Sequence, residues 1–581
     1  MATHEAAFQA RADLKPYNEN ARLLFALELK FRLDDIHTAA LNALTDDPDD
    51  KKCDLVYVDR SSALAVVAQA YEAKDPTRPA APARKASDLN AAASWLLSRD
   101  LSKLPDKLRP VARELRSALA DNAIRRVHFW YVHNLPESKN VRDELITVEG
   151  TVRNALRGHF PKCQVDEIVA AEVGVNTLED WYKALDAPIL VSDEFTIPVS
   201  GGYVERGTNW SAYVTSVPAS WLHSAFNTKQ SALFSPNLRG YLGSFDSDAN
   251  INNGIKTTAE NDPGKFWVFN NGITALVHEF TPPKTRRSGR LKIRGLGIVN
   301  GAQTTGAIGT LRTAPGTAAR VQVRFVQCTD LDTIRDIIKY NNSQNKLQAA
   351  DFRSNDRVQK RLRDEFKRIP GATYLGGRRG GHDDVIRRLP HLMPSDTCAQ
   401  ALAIFHQNPV TAYNDRAEIW LDDKLYSQYF CDQTTAEHIV FTYSPLRCVE
   451  AMRMSLRAKK DDQLTKSEKE QLTFLRQRGG IFLLTAAIAR CTEVFIGKPV
   501  PNLFRLSFGK KTSPEQGQEY WQPVVESTVP FHAQLQPAIA SGINNSAEAT
   551  RVIGSFCSMV EAVKASNAKL FKAFASHVKV I

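Results

Sequence analysis

A mixed α/β fold follows from three observations on this 581-residue chain. Short β-branched and aromatic runs alternate with helix-spaced apolar residues in the first third of the sequence. A second group of strand-like runs gathers around Asn-Gly pairs in the middle, and the last third is largely helical in pattern. With 43% hydrophobic residues, the length suffices for about three domains with separate cores. Their expected limits are 1–185, 186–400 and 401–581.

The first region reads helix, hairpin, helix, helix, strand, helix, strand. Residues Ala21 to Leu44 place Leu24, Leu27, Phe31, Ile36, Ala40 and Leu44 at helical spacing. Leu55–Val58 and Ala63–Ala70 are strand-like runs on either side of Asp59-Arg60-Ser61-Ser62, and the Pro-rich stretch Asp75–Arg84 ends the pattern. Leu89–Leu104 and Val111–Leu119 have helical spacing, whereas Val127–Val132 is an unbroken apolar run of the kind a buried strand carries.

The middle carries three cassettes rich in side-chain amides: FWVFNNGIT (266–274), GIVNGAQTTG (297–306) and KYNNSQNK (339–346). Asn and Gln offer donors and acceptors without charge, so a cluster of them either reads hydrogen-bonding edges or pins backbone. Apolar runs on both sides of Asn271-Gly272 predict two strands meeting at Asn270–Gly272 in a hairpin. Leu291–Val299 predicts another strand, after which Asn300-Gly301 turns the chain into a helix beginning at Ala302. Gln303 and Thr304 then lie at an N-terminus whose free N–H groups could hold an anion. Asp332–Tyr340 is helical in spacing, leaving Asn341, Asn342, Gln344 and Asn345 at or beyond its C-terminal end.

Past residue 400, Asp396–His406, Glu437–Arg457, Ser467–Arg476, Ile481–Phe495 and Ser546–Phe574 predict helices. The last is amphipathic and suited to packing or homo-oligomer formation, and Gly497–Pro530 reads as irregular. Internal repeats and low-complexity tracts are absent from the sequence.

Lys plus Arg exceeds Asp plus Glu, 75 against 64, for a formal charge of +11 and a pI near 9.1. That balance suits a polyanionic partner, and it equally suits a solvated basic surface. Arg378, Arg379, Arg387 and Arg388 flank the glycine-rich 376–381 stretch, where backbone could approach a phosphate closely. Lys284, Arg286, Arg287 and Arg290 read instead as a solubilising loop. The eight cysteines include no C-x-x-C pair, which argues against zinc or a disulfide framework and fits reduced thiols in the cytoplasm. The N-terminal residues lack the apolar core of a signal peptide, and the run Ile481–Ala489 is far shorter than the about twenty residues a bilayer span needs. No membrane association is expected.

Taken in order, the motifs resemble the abortive infection phage resistance (AIPR) family. The likeness begins at FSPNLRGYLG (234–243), which includes Arg239, passes Asn252, Ile255 and Thr257, takes in the NNGIT and VNGAQT cassettes, and ends near YNNSQNKLQAADFRSNDRVQ (340–359). The resemblance implies a bacterial antiviral defence role, together with operon-encoded defence partners. Many AIPR-like chains begin with a domain resembling the PD-(D/E)xK restriction-endonuclease fold, and Cys53–Asp59 followed by Val67–Tyr71 looks like its catalytic hairpin. On that likeness Asp54 would be the metal ligand for Mg²⁺, Gln69 would stand at the second acidic position, and Tyr71 occupies the place of the catalytic Lys. Lys74 could substitute only if the strand has ended, because 69 and 71 share a face that 74 does not. Glu28 or Glu72 could add a carboxylate.

Two functions remain open from the sequence. One is a metal-dependent nuclease effector using Asp54, Gln69 and Lys74. The other is a non-catalytic sensor or scaffold with a pseudo-nuclease domain. Both bind nucleic acid or nucleotide through Arg239, Asn270, Asn271, Asn300, Gln303, Thr304, Asn342, Gln344, Arg378 and Arg379.

Overall fold

A computed structural model describes residues 3–31, 33, 35–45, 51–106, 108–186, 189, 191–229, 233–234, 251–284, 288–341, 353, 356–376, 391–459, 462–509, 511–539 and 543–580. It is mixed α/β, as expected, with most strands in the first two-thirds and a chiefly helical C-terminal region that also holds the short antiparallel pair Leu506–Ser507 and Lys579–Val580. The chain divides into two compact units. The first comprises Met1–Arg32, Val66–Ser94 and Arg125–Leu347, and the second comprises Leu33–Ala65, Trp95–Ile124 and Gln348–Ile581. Strand β1 (Leu55–Asp59) belongs to the second unit, and the division falls inside β2 (Leu64–Tyr71).

In the first unit, β2, β3 (Arg126–His133) and β4 (Glu167–Val173) lie side by side, with β3 and β4 parallel. The helix Lys139–His159 supplies the crossover that a parallel pair requires. A larger sheet follows, built from β5 (Val191–Val199), β6 (Gly202–Arg206), β7 (Trp210–Pro218), β8 (Ile273–Val277), β9 (Glu279–Thr281), β10 (Gly289–Asn300) and β11 (Arg320–Cys328). Its order is β5-β10-β8-β11-β7-β6, with β9 also on β10. One face buries Ile197, Leu291, Ile293, Val321, Val323 and Phe325 together with Leu222, Phe226 and Ile308 from helices. Leu276, Val299 and Val326 instead pack with Ile334, Ile337 and Ile338 of helix Leu331–Asn341. Alternation along β11 follows from this, since Gln322 and Arg324 are exposed between the buried Val321, Val323 and Phe325.

The second unit is chiefly helical around a core that includes Trp420, Tyr429, Phe441 and Trp521. Buried and half-buried ion pairs tie its sequence-distant pieces. Asp35 meets Arg447 and also accepts from Thr397 Oγ1 at 3.0 Å, Asp59 lies 2.9 Å from Arg416, and Glu114 lies 2.6 Å from Arg478.

Several expected elements differ, four of them as follows. Residues Ala21–Leu44 form two helices, Ala21–Phe31 and Ile36–Ala43, because Asp35 caps the second by accepting from the N–H groups of His37 and Thr38. Phe266–Phe269 is one helical turn and not a strand, so no hairpin forms at Asn271-Gly272. Strand β8 pairs with β10 and β11 instead. A helix, Pro514–Thr528, fills much of the stretch expected to be irregular, started by a reciprocal Ser513/Gln516 capping box. Finally, Ser546–Phe574 is broken between Ala562 and Ala568, where Ser566 and Asn567 favour a turn and the Asn567 amide donates to Val563 O.

Candidate functional site: an amide and arginine row on the central sheet

The Asn-Gly turns of the first two cassettes abut. Gly272 (φ +61°) opens β8, and Gly301 (φ +97°) links β10 to helix Ala302–Gly309. A Cβ placed on Gly301 would lie 2.6 Å from Ile273 Cγ1 and 3.2 Å from Gly272 O, so the turns touch through backbone that only glycine permits. A bulge between Ile298 and Asn300 sets Asn300 opposite Thr274 on β8, and Thr274 is opposite Arg324 on parallel β11. Three adjacent strands therefore present Asn300, Thr274 and Arg324 in one row.

Hydrogen bonds fix that row. Arg324 Nη2 donates to Thr274 Oγ1 at 2.7 Å and to Asn341 Oδ1 at 3.0 Å, and Asn300 Nδ2 donates to Asn341 O at 3.1 Å. Asn341 is the last residue of helix Leu331–Asn341, and its side-chain and backbone oxygens are the acceptors that hold Arg324 and Asn300. Thr274 is buried, while Asn300 and Arg324 are exposed on their outer sides. A fixed guanidinium beside exposed amides can take a phosphate or carboxylate and read donor and acceptor edges next to it.

Of the residues marked from sequence, Asn271 is exposed at the first turn, and Asn270 is half-buried with its amide donating to Phe266 O at 2.9 Å. Gln303 is exposed in the first helical turn, whereas Thr304 is buried at 8% exposure and faces the interior. Arg239, Asn342, Gln344, Arg378 and Arg379 lie outside the described residues. Sequence reasoning did not mark Arg324. The alternation in Val321-Gln322-Val323-Arg324-Phe325 was the available signal, since it puts Gln322 and Arg324 on the outward side of a strand.

The nuclease-like residues are arranged differently. Asp54 is half-buried just before β1 in the second unit, whereas Gln69 and Lys74 belong to the first. Gln69 is 5% exposed, and its Oε1 makes no hydrogen bond. Tyr71 accepts from Arg78 at 3.2 Å, and Lys74 is exposed at a bend past the end of β2. Glu28 pairs with Arg11 at 2.6 Å and Glu72 with Arg22 at 2.9 Å. Burial alone would lower the pKa of both arginines, but the carboxylates outweigh it and hold both guanidiniums above their ordinary value. Those acids are thereby committed. Among the described residues no group of three or more His, Cys, Asp or Glu could hold a metal ion.

Fold and row together give a central sheet that carries a polar row, in which the Arg324 guanidinium is held by two hydrogen-bond partners. Residues 234–457 match the model of the family described as AIPR protein, a stretch that contains the whole row. The match also runs on through most of helix Ala436–Ala458, well past the last motif that suggested it. That family implies abortive-infection defence against phage. No curated protein and no solved structure matches the chain. Among the described residues no helix is long and apolar enough to cross a membrane.

Proposed function

We propose that this protein acts in abortive infection by binding nucleic acid or a nucleotide at the Asn300–Thr274–Arg324 row, with an N-terminal region that does not cleave. The observation that carries the reading is the position of Arg324. It is pinned by Thr274 and Asn341, so its geometry is set before a ligand arrives. The exposed amides of Asn271, Asn300 and Gln303 surround the same pair of turns. The net charge of +11 adds long-range attraction for a polyanion.

The test is binding of labelled oligonucleotides and of nucleotides by the wild type, Asn300→Ala and Arg324→Ala, with melting curves alongside. Loss of one charge-assisted phosphate contact should weaken binding by about tenfold while the melting temperature stays nearly constant. Early unfolding of both variants without a separable binding loss would make the row internal scaffold. The enzyme reading keeps one specific support, the buried and unbonded Oε1 of Gln69. Metal-dependent cleavage of DNA or RNA that Asp54→Ala abolishes would establish it over the binding-only reading.

A further inference from the structure

Three large apolar side chains stand exposed directly before the row. Trp267, Val268 and Phe269 are 48%, 67% and 65% exposed, while their neighbour Phe266 is fully buried and anchors the turn in the core. Neither the Trp267 nor the Phe269 ring packs on another ring among the described residues. The turn is held in place, because Asn270 Nδ2 closes it on Phe266 O and Gly272 lies against β11, where an added Cβ would be 2.9 Å from Gln322 O. Two residues further along β11 is Arg324.

Resting on the binding role proposed above, we propose that the ligand is a single-stranded polynucleotide whose unpaired bases stack on Trp267 and Phe269, with its phosphate on Arg324 and base edges on Asn271 and Asn300. A duplex keeps its base faces stacked inside, whereas a single strand offers them to aromatic rings. The adjoining cation suits a backbone phosphate. Three side chains fall well short of the about 1,600 Å² that a stable protein interface buries, and the chain runs from them directly into the amides Asn270 and Asn271.

Anisotropy titrations of the full chain decide this, using a labelled single-stranded DNA, the same sequence as RNA, a blunt duplex, and an abasic strand of equal length. The wild type should bind the base-bearing single strands at least about tenfold tighter than the duplex or the abasic strand, and the W267A/F269A double variant should lose about tenfold on base-bearing strands alone. Its melting temperature should be unchanged, since both rings are exposed. The DNA and RNA arms identify which strand is preferred. If R324A weakens every substrate but W267A/F269A binds as the wild type does, stacking is overturned and the row survives. Preference for the duplex, or loss of self-association in W267A/F269A with strand affinity intact, also overturns it. Failure of the wild type to bind any of the four overturns the single-strand proposal, while the row itself is then decided by the nucleotide titrations with Asn300→Ala and Arg324→Ala.

Discussion

At the scale of single residues, two glycines in the first unit make opposite predictions. Gly301 has φ +97°, and a methyl group there meets Ile273 Cγ1 at 2.6 Å, so Gly301→Ala combines a left-handed backbone penalty with a clash. A loss of about 1–3 kcal/mol is expected, visible as a lower melting temperature. Gly150 sits inside helix Lys139–His159 with no atom within 4 Å of an added Cβ, so Gly150→Ala should raise stability by about 0.5–1 kcal/mol. Calorimetry on the two variants checks both signs. If Gly301→Ala melted with the wild type, the tight apposition of the Asn-Gly turns would be refuted.

At the scale of elements, helix Ser395–Phe405 ends against the start of helix Ala436–Ala458 at a buried histidine pair. His406 Nε2 and His438 Nε2 are 3.2 Å apart, His438 Nδ1 donates to Leu506 O at 2.9 Å, and the Phe504 ring lies 4.2 Å from His406. Burial, with the nearby charge of His438, pushes His406 down to about 3, and burial pushes His438 down to about 4. Both are neutral when folded, and both take up a proton near pH 6.5 when unfolded. The unfolded chain therefore binds more protons below pH 6.5, and stability falls as pH drops from there toward 4, by up to about 1.4 kcal/mol per pH unit for each ring. His438→Asn keeps a donor for Leu506 O and removes one titration, so its melting temperature should fall less steeply between pH 6.5 and 4.5. Parallel slopes would show that the pair does not contribute. The helices that frame this pair were legible because their apolar spacing is local. The turn Phe266–Phe269 was not, because its four apolar residues look strand-like in sequence. Only the tertiary structure reveals that Phe266 alone is buried and that β8 finds its partners in β10 and β11. The Asn-Gly turns were readable for the same local reason, whereas Arg324 acquires meaning only once parallel pairing sets it beside Thr274.

At the scale of the whole molecule, the division into two units cuts across the sequence order, and the first 185 residues contribute segments to both. Within the second unit, Asp35, Asp59 and Glu114 come from segments 33–65 and 95–124, but their cationic partners Arg447, Arg416 and Arg478 all lie beyond residue 400. Asp59 shows the dependence. Burial alone would raise its pKa, yet the Arg416 charge and the Ser62 hydrogen bonds hold it below its ordinary value. Removing one partner of a buried pair costs about 3–5 kcal/mol, and a fragment ending at residue 185 removes three such partners at once along with the helical core around them. Such a fragment is expected to melt without a cooperative transition and to be cut by protease within 51–65 and 108–124, where Leu55, Val56, Leu64, Leu115 and Leu119 are buried in the intact chain. Limited proteolysis with mass mapping, run on the fragment and the full chain together, measures this. A fragment that melts cooperatively and resists cutting would instead establish 1–185 as a self-sufficient domain, and the acid–arginine pairs would then be secondary to its folding.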